Sequence, residues 1–339
     1  MSNWVLDGIR TNRFVVLGRV GMDLSPDPAG CRTETATSMI VGMGGSSANI
    51  AVGICKFGGE ACLVTSVSDD AIGRYCTNAL QGYGVGTDHV RTIGGEYRTS
   101  LAIYESRVED HQTVLYRNQA ADFQVTRADI ERVELKRFGA LIAAGTVLAA
   151  EPSRDATFHA LERAAAARCP IIFDIDYRPY SWPSAAVAAE VLSRAGARSN
   201  VIVGNDEEFG FMAGAMERGL EKARELARTT AAIVIYKMGE RGAITLAGDE
   251  EMQTGIFPVT ALKPTGAGDS FMAGLLSGIA AGLPLRDAVL RGSACAAIVV
   301  ARPGCAPAMP DEADLDAFLT HHPGATTAPG GGPGEVRDT

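Results

Sequence analysis

Two patterns of hydrophobic residues divide the chain into a core and an inserted sheet. Apolar runs of strand length occur at 13–20, 61–67, 140–147, 169–176, 199–205 and 231–239. The last four runs are separated by helix-like stretches at 153–168, 184–197 and 216–229. Strands that alternate with helices imply βαβ units, so this pattern predicts a mainly parallel sheet covered by helices.

Alternating polar and apolar residues form the second pattern, which is typical of strands with one exposed face. It occurs near 24–43 and 92–118, where a polar turn at Glu109 and Asp110 separates two strands. These strands are too few for a domain of their own and predict a small sheet over one edge of the core. Because ligands of open α/β folds bind beyond the carboxyl ends of the strands, we expect this sheet to act as a lid.

The remaining elements complete one domain over 1–322. A hairpin at 243–260 precedes a predicted helix at 269–282, and a further helix is predicted at 285–301. Residues 323–339 lack apolar periodicity, which predicts a disordered tail.

Composition and charge restrict the partners. The chain has 339 residues, of which 46% are hydrophobic, and a net charge of −9. The hydrophobic fraction suffices for a sizeable core, while the acidic surplus argues against nucleic acid or an anionic membrane as a partner. The longest apolar stretches, such as 141–150, are shorter than the ~20 residues that span a bilayer.

Cysteine usage and the first residues indicate the compartment. Seven cysteines occur at irregular spacing without a C-x-x-C motif, which is typical of reduced thiols in a cytoplasmic protein. The first 14 residues contain no long apolar core and do not resemble a secretory signal. We therefore expect a cytoplasmic protein.

The segment Thr265-Gly266-Ala267-Gly268-Asp269 opens a predicted helix and carries the strongest chemical signal. Small side chains allow successive N–H groups to point one way, and the helix N-terminus adds partial positive charge. This predicts an anion cradle suited to a phosphoryl group. Asp269 has two interpretations: it caps the helix, or it accepts a proton from a hydroxyl that attacks a phosphate in the cradle.

A second glycine-rich segment, Gly42 to Asn49, also precedes a predicted helix. The third glycine of a dinucleotide fingerprint would fall at Ser47, and no G-x-x-x-x-G-K-[ST] motif occurs, so neither a Rossmann fingerprint nor a P-loop is present. The segment is either a tight turn before a small-residue helix or a close backbone approach to a polar ligand. In the second case the Asn49 amide offers both a donor and an acceptor.

Three further polar segments follow predicted strands, and each also has a purely structural interpretation. Asn205 and Glu208 either cap a helix or order the waters of a phosphate-bound Mg²⁺. Arg178 either closes a salt bridge in its loop or faces a carboxylate or phosphate as a fork donor. Lys237 begins a turn at 237–242 that is also suited to pass a nucleotide phosphate.

Together these segments resemble the ribokinase-like, or PfkB, family of sugar kinases. The GG-x-x-x-N block, the N-x-x-E pair and T-G-A-G-D-S-F at 265–271 occur in the order and at the separations of that family, over about 13–320. The resemblance implies an α/β fold with a three-layer α/β/α core, a mainly parallel sheet and a small β-sheet lid. It also implies a sugar kinase that uses ATP and Mg²⁺. The lid strands are expected to pair between two subunits in a homodimer.

The segments 174–182, 203–209, 263–271 and 302–306 are most similar to the family members of myo-inositol catabolism. That similarity implies transfer to a primary hydroxyl of a keto-deoxy sugar acid, with 5-dehydro-2-deoxygluconate as the expected acceptor. The alternatives are 2-dehydro-3-deoxygluconate, another sugar or a nucleoside. A non-catalytic sugar-acid sensor on the same fold is a further class, against which the intact G-A-G-D argues.

The resemblance implies a role for each of these polar and small residues. The expected base is Asp269, and the expected anion hole consists of Gly266, Ala267 and Gly268. The residues expected to hold sugar hydroxyls are Asp23, Gly44, Gly45 and Asn49. The candidates for the substrate carboxylate are Arg117 and Arg178, and those for organising Mg²⁺ are Asn205 and Glu208. The residues expected along ATP are Lys237, Gly239, Gly242 and Thr265.

The chain departs from the family pattern just before the anion cradle. Many members carry Asp-Thr before the residue that precedes G-A-G-D, and some use that Asp near a monovalent cation. This chain has Lys263-Pro264 instead. The resemblance therefore gives no support for a potassium site, and we expect Lys263 to place a positive charge near the phosphates.

Overall fold

The structure, a computed structural model, describes residues 3–107 and 110–325. The predicted turn residue Glu109 and the part of the predicted tail at 326–339 lie outside the described residues. The α-helices are α1 Asn3–Arg10, α2 Ser46–Lys56, α3 Ala71–Gly82, α4 Arg127–Glu131, α5 Ser153–Ala166, α6 Ala185–Gly196, α7 Asp206–Ala213, α8 Gly219–Thr229, α9 Ala267–Ala280, α10 Leu285–Val300 and α11 Glu312–His321. The strands are β1 Arg13–Leu17, β2 Gly21–Asp27, β3 Ser38–Gly44, β4 Glu60–Ser68, β5 Val90–Ile93, β6 Ser100–Tyr104, β7 Thr113–Tyr116, β8 Ala140–Ala144, β9 Ile171–Asp174, β10 Val201–Asn205, β11 Ile233–Lys237, β12 Ala243–Ala247 and β13 Glu250–Thr254.

A large, mainly parallel sheet forms the centre of the molecule. Its strand order is β13-β12-β11-β10-β9-β8-β1-β4-β5. Neighbouring strands are parallel except at one edge, where β12 is antiparallel to both β11 and β13. Along β1 the side chains alternate between two apolar clusters: Phe14 and Val16 pack on one face, and Val15 and Leu17 on the other. Both faces are therefore covered, which explains why the central strands are continuous apolar runs.

Helices on both faces complete three layers. Residues of α2, α9 and α10 pack with one face of the sheet, and residues of α5 and α6 pack with the other. The predicted fold class, a three-layer α/β/α core with a mainly parallel sheet and a smaller separate sheet, is confirmed. The division into one domain over 1–322 and a tail stays a prediction.

The smaller sheet contains β3-β2-β6-β7, in which β2 and β6 are parallel and the outer pairs antiparallel. Its strands begin at Gly21, earlier than the sequence predicts, and β5 joins the large sheet instead. One face of this sheet exposes the large apolar side chains of Val41, Val114 and Tyr116, and Ile40 is exposed on the opposite face. Within residues 3–107 and 110–325 no helix is both long and apolar enough to cross a membrane.

Candidate active site

Parallel strands deliver several polar side chains to one edge of the large sheet. β9 ends at Asp174 and is followed by Asp176, and β10 ends at Asn205. Lys237 at the end of β11 is in register with Asn205. Because the carboxyl ends of parallel strands meet at the same edge, the motifs after three consecutive strands lie side by side, as ligand sites in open α/β folds do.

The N-terminus of α9 faces this edge and is left open by its own side chains. Gly266 precedes the helix with φ +85°, a left-handed conformation that glycine adopts without steric cost, and no side chain caps the helix. The first N–H groups of a helix have no partner within it. A Cβ atom at Gly268 would lie 3.2 Å from Lys237 Nζ, so the lysine ammonium adjoins this turn. The geometry is that of an anion cradle with an added cation.

Asp269 lies in the first turn of α9 and does not cap it. Its Oδ2 accepts a hydrogen bond of 2.8 Å from Asn49 Nδ2 in α2, across 220 residues of sequence. Burial, together with the charge of Asp176, raises the pKa of Asp269 to about 6, and the bond from Asn49 partly offsets this rise. A carboxylate that is held by an amide beside an open cradle is arranged as a general base, which favours that interpretation over capping.

The Gly44-Gly45 turn approaches protein groups closely. A Cβ atom at Gly44 would lie 2.0 Å from Asp23 Oδ2, and one at Gly45 (φ +104°) would lie 2.5 Å from the Arg19 carbonyl oxygen. Asp23 is only 5% exposed, and its burial raises its pKa to about 6 against the opposing charge of Arg19. These glycines therefore allow β3 to pass the Asp23 carboxylate, and their contact with sugar hydroxyls stays a prediction.

The two arginines predicted for the substrate carboxylate differ in their surroundings. Arg178 is half exposed and pairs with Asp176 at 2.7 Å. Arg117 is buried: its guanidinium donates to Asp122 and, at 3.1 Å, to the Thr146 carbonyl oxygen. Both terminal nitrogens of Arg117 thus have protein acceptors and its buried Nε has none among the described residues, whereas Arg178 keeps an exposed side. Binding of a substrate carboxylate by either residue stays a prediction.

Asn205 and Glu208 form a reciprocal capping box at the start of α7. The Glu208 N–H donates to Asn205 Oδ1, and the Asn205 N–H donates to Glu208 Oε2, both at 2.8 Å. The Tyr177 N–H also donates to Glu208 Oε1, at 3.3 Å. Glu208 is buried, which raises its pKa against the opposing charge of Lys237. The capping interpretation therefore holds, and the magnesium role of the pair stays a prediction.

Comparisons with known proteins decide the family. The model of the pfkB family carbohydrate kinases matches residues 11–312. The chain belongs to this family.

Two relatives, the 5-dehydro-2-deoxygluconokinases of Photobacterium profundum and Geobacillus kaustophilus, are 36% and 34% identical to it. These matches cover 94% and 93% of this chain and 98% and 96% of the relatives. Among solved structures, an E. coli ribokinase-type protein in complex with ATP and Mg²⁺ superposes with a TM-score of 0.81 at 19% identity, over 91% of this chain and 99% of that one. The chain is thus an ATP-dependent sugar kinase, and its fold is the one that holds ATP and Mg²⁺ in that E. coli protein.

Several residues of this pfkB kinase fit the nucleotide phosphates. Thr265 Oγ1 is buried and has no hydrogen-bond partner among the described residues, so a polar ligand would satisfy it. Lys237 adjoins the cradle, as described above. Gly239 and Gly242 lie in the turn after β11 with positive φ, and a Cβ at Gly242 would lie 2.0 Å from the Thr254 carbonyl oxygen. Close packing alone explains Gly242, and the contacts of all four residues with ATP stay predictions.

A magnesium ion fits this edge of the sheet through few protein ligands. The described residues hold no group of three or more acidic, histidine or cysteine side chains placed to enclose a metal ion. Mg²⁺ usually keeps several waters and binds substrate phosphates with one or two carboxylates. Burial and the neighbouring charges of Asp176 and Glu208 raise the pKa of Asp174 well above its ordinary value. A cation near Asp174 and Glu208 would relieve this repulsion and supply charge neutralisation for the phosphates.

Sequence reasoning overlooked some residues of the site. Arg19 follows β1, and its guanidinium lies near Asp23 and Asp176. Asp176 has φ +34°, an unusual backbone angle for a residue with a side chain and a known mark of functional sites. Asp176 is buried, yet the Arg178 guanidinium beside it holds the pKa of its carboxyl below the ordinary value. The paired acids after an apolar strand were the available signal for Asp176, whereas Arg19 carries no local motif.

Proposed function

We propose that this kinase transfers the γ-phosphoryl group of ATP to a primary hydroxyl of a keto-deoxy sugar acid, and that the acceptor is 5-dehydro-2-deoxygluconate. The names of relatives that match more than nine-tenths of the chain support this acceptor. The observation that carries the chemistry is the Asp269 carboxylate, held by Asn49 beside the uncapped N-terminus of α9.

The proposed step follows from that placement. Asp269 accepts the proton of the acceptor hydroxyl as its oxygen forms a bond to the γ-phosphorus, and the bond to the β-phosphate oxygen breaks to release ADP. The N–H groups of 266–268 and the Lys237 ammonium stabilise the charge on the transferring group. Asn49 orients the base, because its amide nitrogen already donates to the Asp269 carboxylate. The small sheet would cover the site and exclude water.

An acid group on the acceptor accounts for the cationic side chains on the sugar side. Arg178 keeps an exposed side, and Arg19 has a buried Nε that no acceptor among the described residues contacts. A guanidinium binds a carboxylate through two parallel hydrogen bonds. Arg178 is therefore better placed to receive the acid than Arg117, which is buried and donates through both terminal nitrogens to Thr146 and Asp122. Arg117 shares with Arg19 a buried Nε that no acceptor among the described residues contacts.

The test is a coupled ADP-release assay with ATP, Mg²⁺ and five acceptors: 5-dehydro-2-deoxygluconate, 2-dehydro-3-deoxygluconate, fructose, ribose and adenosine. We expect the highest kcat/KM with 5-dehydro-2-deoxygluconate. Preference for 2-dehydro-3-deoxygluconate would keep the acid class and overturn the proposed acceptor. Preference for a neutral sugar or for adenosine would overturn the acid class, and ADP release with none of them would favour a sensor.

Two further proposals concern the oligomeric state and the cellular location of the protein. A homodimer through the small sheet is supported by its exposed apolar side chains at Ile40, Val41, Val114 and Tyr116. A cytoplasmic location is supported by the ATP requirement and by the seven cysteines, which are free.

A further inference from the structure

Lys263 is the most deeply buried cation of the described chain, and its ammonium is bound by main-chain carbonyls. It is 0% exposed. Its Nζ donates to the Thr265 carbonyl oxygen at 2.6 Å and to the Val299 carbonyl oxygen at 3.3 Å. A buried ammonium is costly unless its hydrogen bonds are satisfied, so these contacts hold the side chain in one place.

The bond to Thr265 has a direct consequence for the anion cradle. In a trans peptide unit the C=O and the following N–H point in opposite directions. The carbonyl of Thr265 belongs to the same peptide unit as the Gly266 N–H, so drawing this carbonyl toward Lys263 directs the N–H away from the lysine. Gly266 precedes α9, where the phosphoryl group is expected. Lys263 thereby fixes the direction of one donor of the cradle without touching the substrate.

The second carbonyl connects this peptide to another helix. Val299 lies in the last turn of α10, where the helix dipole is negative, and its carbonyl oxygen also accepts a hydrogen bond of 3.2 Å from the Arg302 N–H. The N–H groups of Leu262 and Lys263 also donate to the Val300 carbonyl oxygen, at 2.8 and 3.2 Å. One ammonium therefore joins the end of α10 to the start of α9.

The charge itself contributes, because it polarises the Thr265–Gly266 peptide. Burial lowers the pKa of the Lys263 ammonium, while the nearby carboxylates of Asp269 and Asp23 oppose this fall. A cation on the carbonyl side of a peptide strengthens its N–H as a donor, since hydrogen bonds in a low-dielectric interior polarise one another.

We propose that Lys263 is a positioning residue: a built-in cation that directs and polarises the Gly266 N–H for phosphoryl transfer. This inference rests on the proposed role of the cradle and uses the proposed acceptor only in the kinetic assay. The Lys263 ammonium contacts main-chain carbonyls, so its charge would act on the phosphates through the Thr265–Gly266 peptide.

The experiment removes the cation and returns one from solution. In Lys263→Ala we expect kcat to fall by about 10²-fold, the scale of one lost anion-hole donor, with a smaller change in the KM of the acceptor. Ammonium or methylammonium ions, which fit the space left by the side chain, should restore kcat at least several-fold. Tetramethylammonium at the same concentration should not, and none of the three should change the wild-type rate.

A second variant separates charge from hydrogen bonding. Lys263→Gln keeps a neutral donor and most of the chain length, so it should retain more activity than Lys263→Ala and still fall below the wild type. If Lys263→Ala is not recovered in folded form, Lys263→Gln takes its place, and a kcat equal to that of the wild type overturns the proposal.

Lys56 provides a matched control, because its ammonium also donates to two main-chain carbonyls, those of Pro307 and Met309. Lys56→Ala should lower the melting temperature without amine-dependent recovery of kcat. If Lys263→Ala behaves in the same way, Lys263 is structural only and the proposal fails.

A binding measurement keeps this test independent of the acceptor. The affinity for a non-hydrolysable ATP analogue, measured by calorimetry without sugar, should fall several-fold in Lys263→Ala and recover with ammonium. If the wild type phosphorylates none of the five acceptors, the proposed function fails and this measurement still decides the role of Lys263. In that case unchanged affinity would by itself overturn the role, and with an active acceptor unchanged affinity together with unchanged kcat would overturn it.

Discussion

At the scale of single residues, the site contains carboxyl groups that are buried, so their ionisation is energetically unfavourable. Asp269 and Asp23 have pKa values raised to about 6 by burial, and Asp174 has a pKa raised well above its ordinary value. Raised pKa values of several acids in one cleft are typical of functional sites.

Asp269→Asn should keep the binding of sugar and ATP while kcat falls by ~10²–10⁴, as for a lost general base. The amide has nearly the shape of the carboxylate but accepts no proton, and steady-state kinetics with calorimetric binding measure the difference. Asp155→Asn is the control, because Asp155 also lies in the first turn of its helix and is exposed. Near-normal turnover of Asp269→Asn would refute the assignment.

The pH dependence of kcat/KM should show an acid limb with an apparent pKa near 6. A base with its pKa raised to about 6 is deprotonated and active above that value, and activity declines tenfold per unit below it. Since Asp23 also has a pKa of about 6, the profile of Asp23→Asn decides between them. We expect that variant to keep the limb. Loss of the limb in Asp23→Asn would assign it to Asp23 instead.

Arg117→Met should act mainly on stability. Asp122 is buried, and removal of its partner leaves a charge without compensation, which costs about 3–5 kcal/mol in buried pairs. Urea denaturation measures this loss. Arg178→Met is the comparison, because Arg178, the partner of Asp176, is half exposed. Arg178→Met should instead raise the KM for acid acceptors. A stable Arg117→Met with a raised KM would restore Arg117 as the carboxylate ligand.

At the scale of elements, strand ends and helix starts are the units that make the site. β9, β10 and β11 deliver acids, an amide and a lysine to one edge, and α2 and α9 contribute Asn49 and Asp269. The turn before α9 matters most, because Gly266 combines a left-handed backbone with an uncapped helix start.

Gly266→Ala should reduce kcat strongly, whereas Gly214→Ala should not. Both glycines are left-handed, with φ +85° and +73°, so each substitution costs about 1–2 kcal/mol of stability. At Gly266 the new Cβ would also lie 3.1 Å from Val299 Cγ1 and displace the cradle, while Gly214 has open space around it. Thermal unfolding and kcat, measured on both variants, separate the two effects. Equal kcat values would show that the turn has no catalytic part.

At the scale of the whole molecule, the small sheet carries both exposed apolar side chains and residues of the candidate site. It exposes apolar side chains on one face, while its strands β2 and β3 carry Asp23 and Gly44. Tyr116→Asp should therefore shift a dimer toward monomer in light scattering coupled to gel filtration. Met216→Asp, at another exposed apolar residue, is the control. A monomeric wild type would exclude dimerisation through this face.

Most of the core was predictable because periodicity is a local property. The apolar runs at 140–147 and 199–205 correspond to β8 and β10, since a strand buried on both faces needs consecutive apolar residues. The start of α7 was contained in the capping interpretation of Asn205 and Glu208, and β5 was not separated from the small sheet because its pattern also alternates.

The sequence by itself determined most core strands and helices, the family and the glycine-rich turn before α9, because each rests on residues close together in the chain. Tertiary structure decided which neighbours each polar residue has. Asp269 meets Asn49 across 220 residues, and Lys263 meets Val299 across 36 residues. Whether a charge is paired, buried or open depends on such distant neighbours, because packing brings them within hydrogen-bond distance while local sequence patterns record only nearby residues.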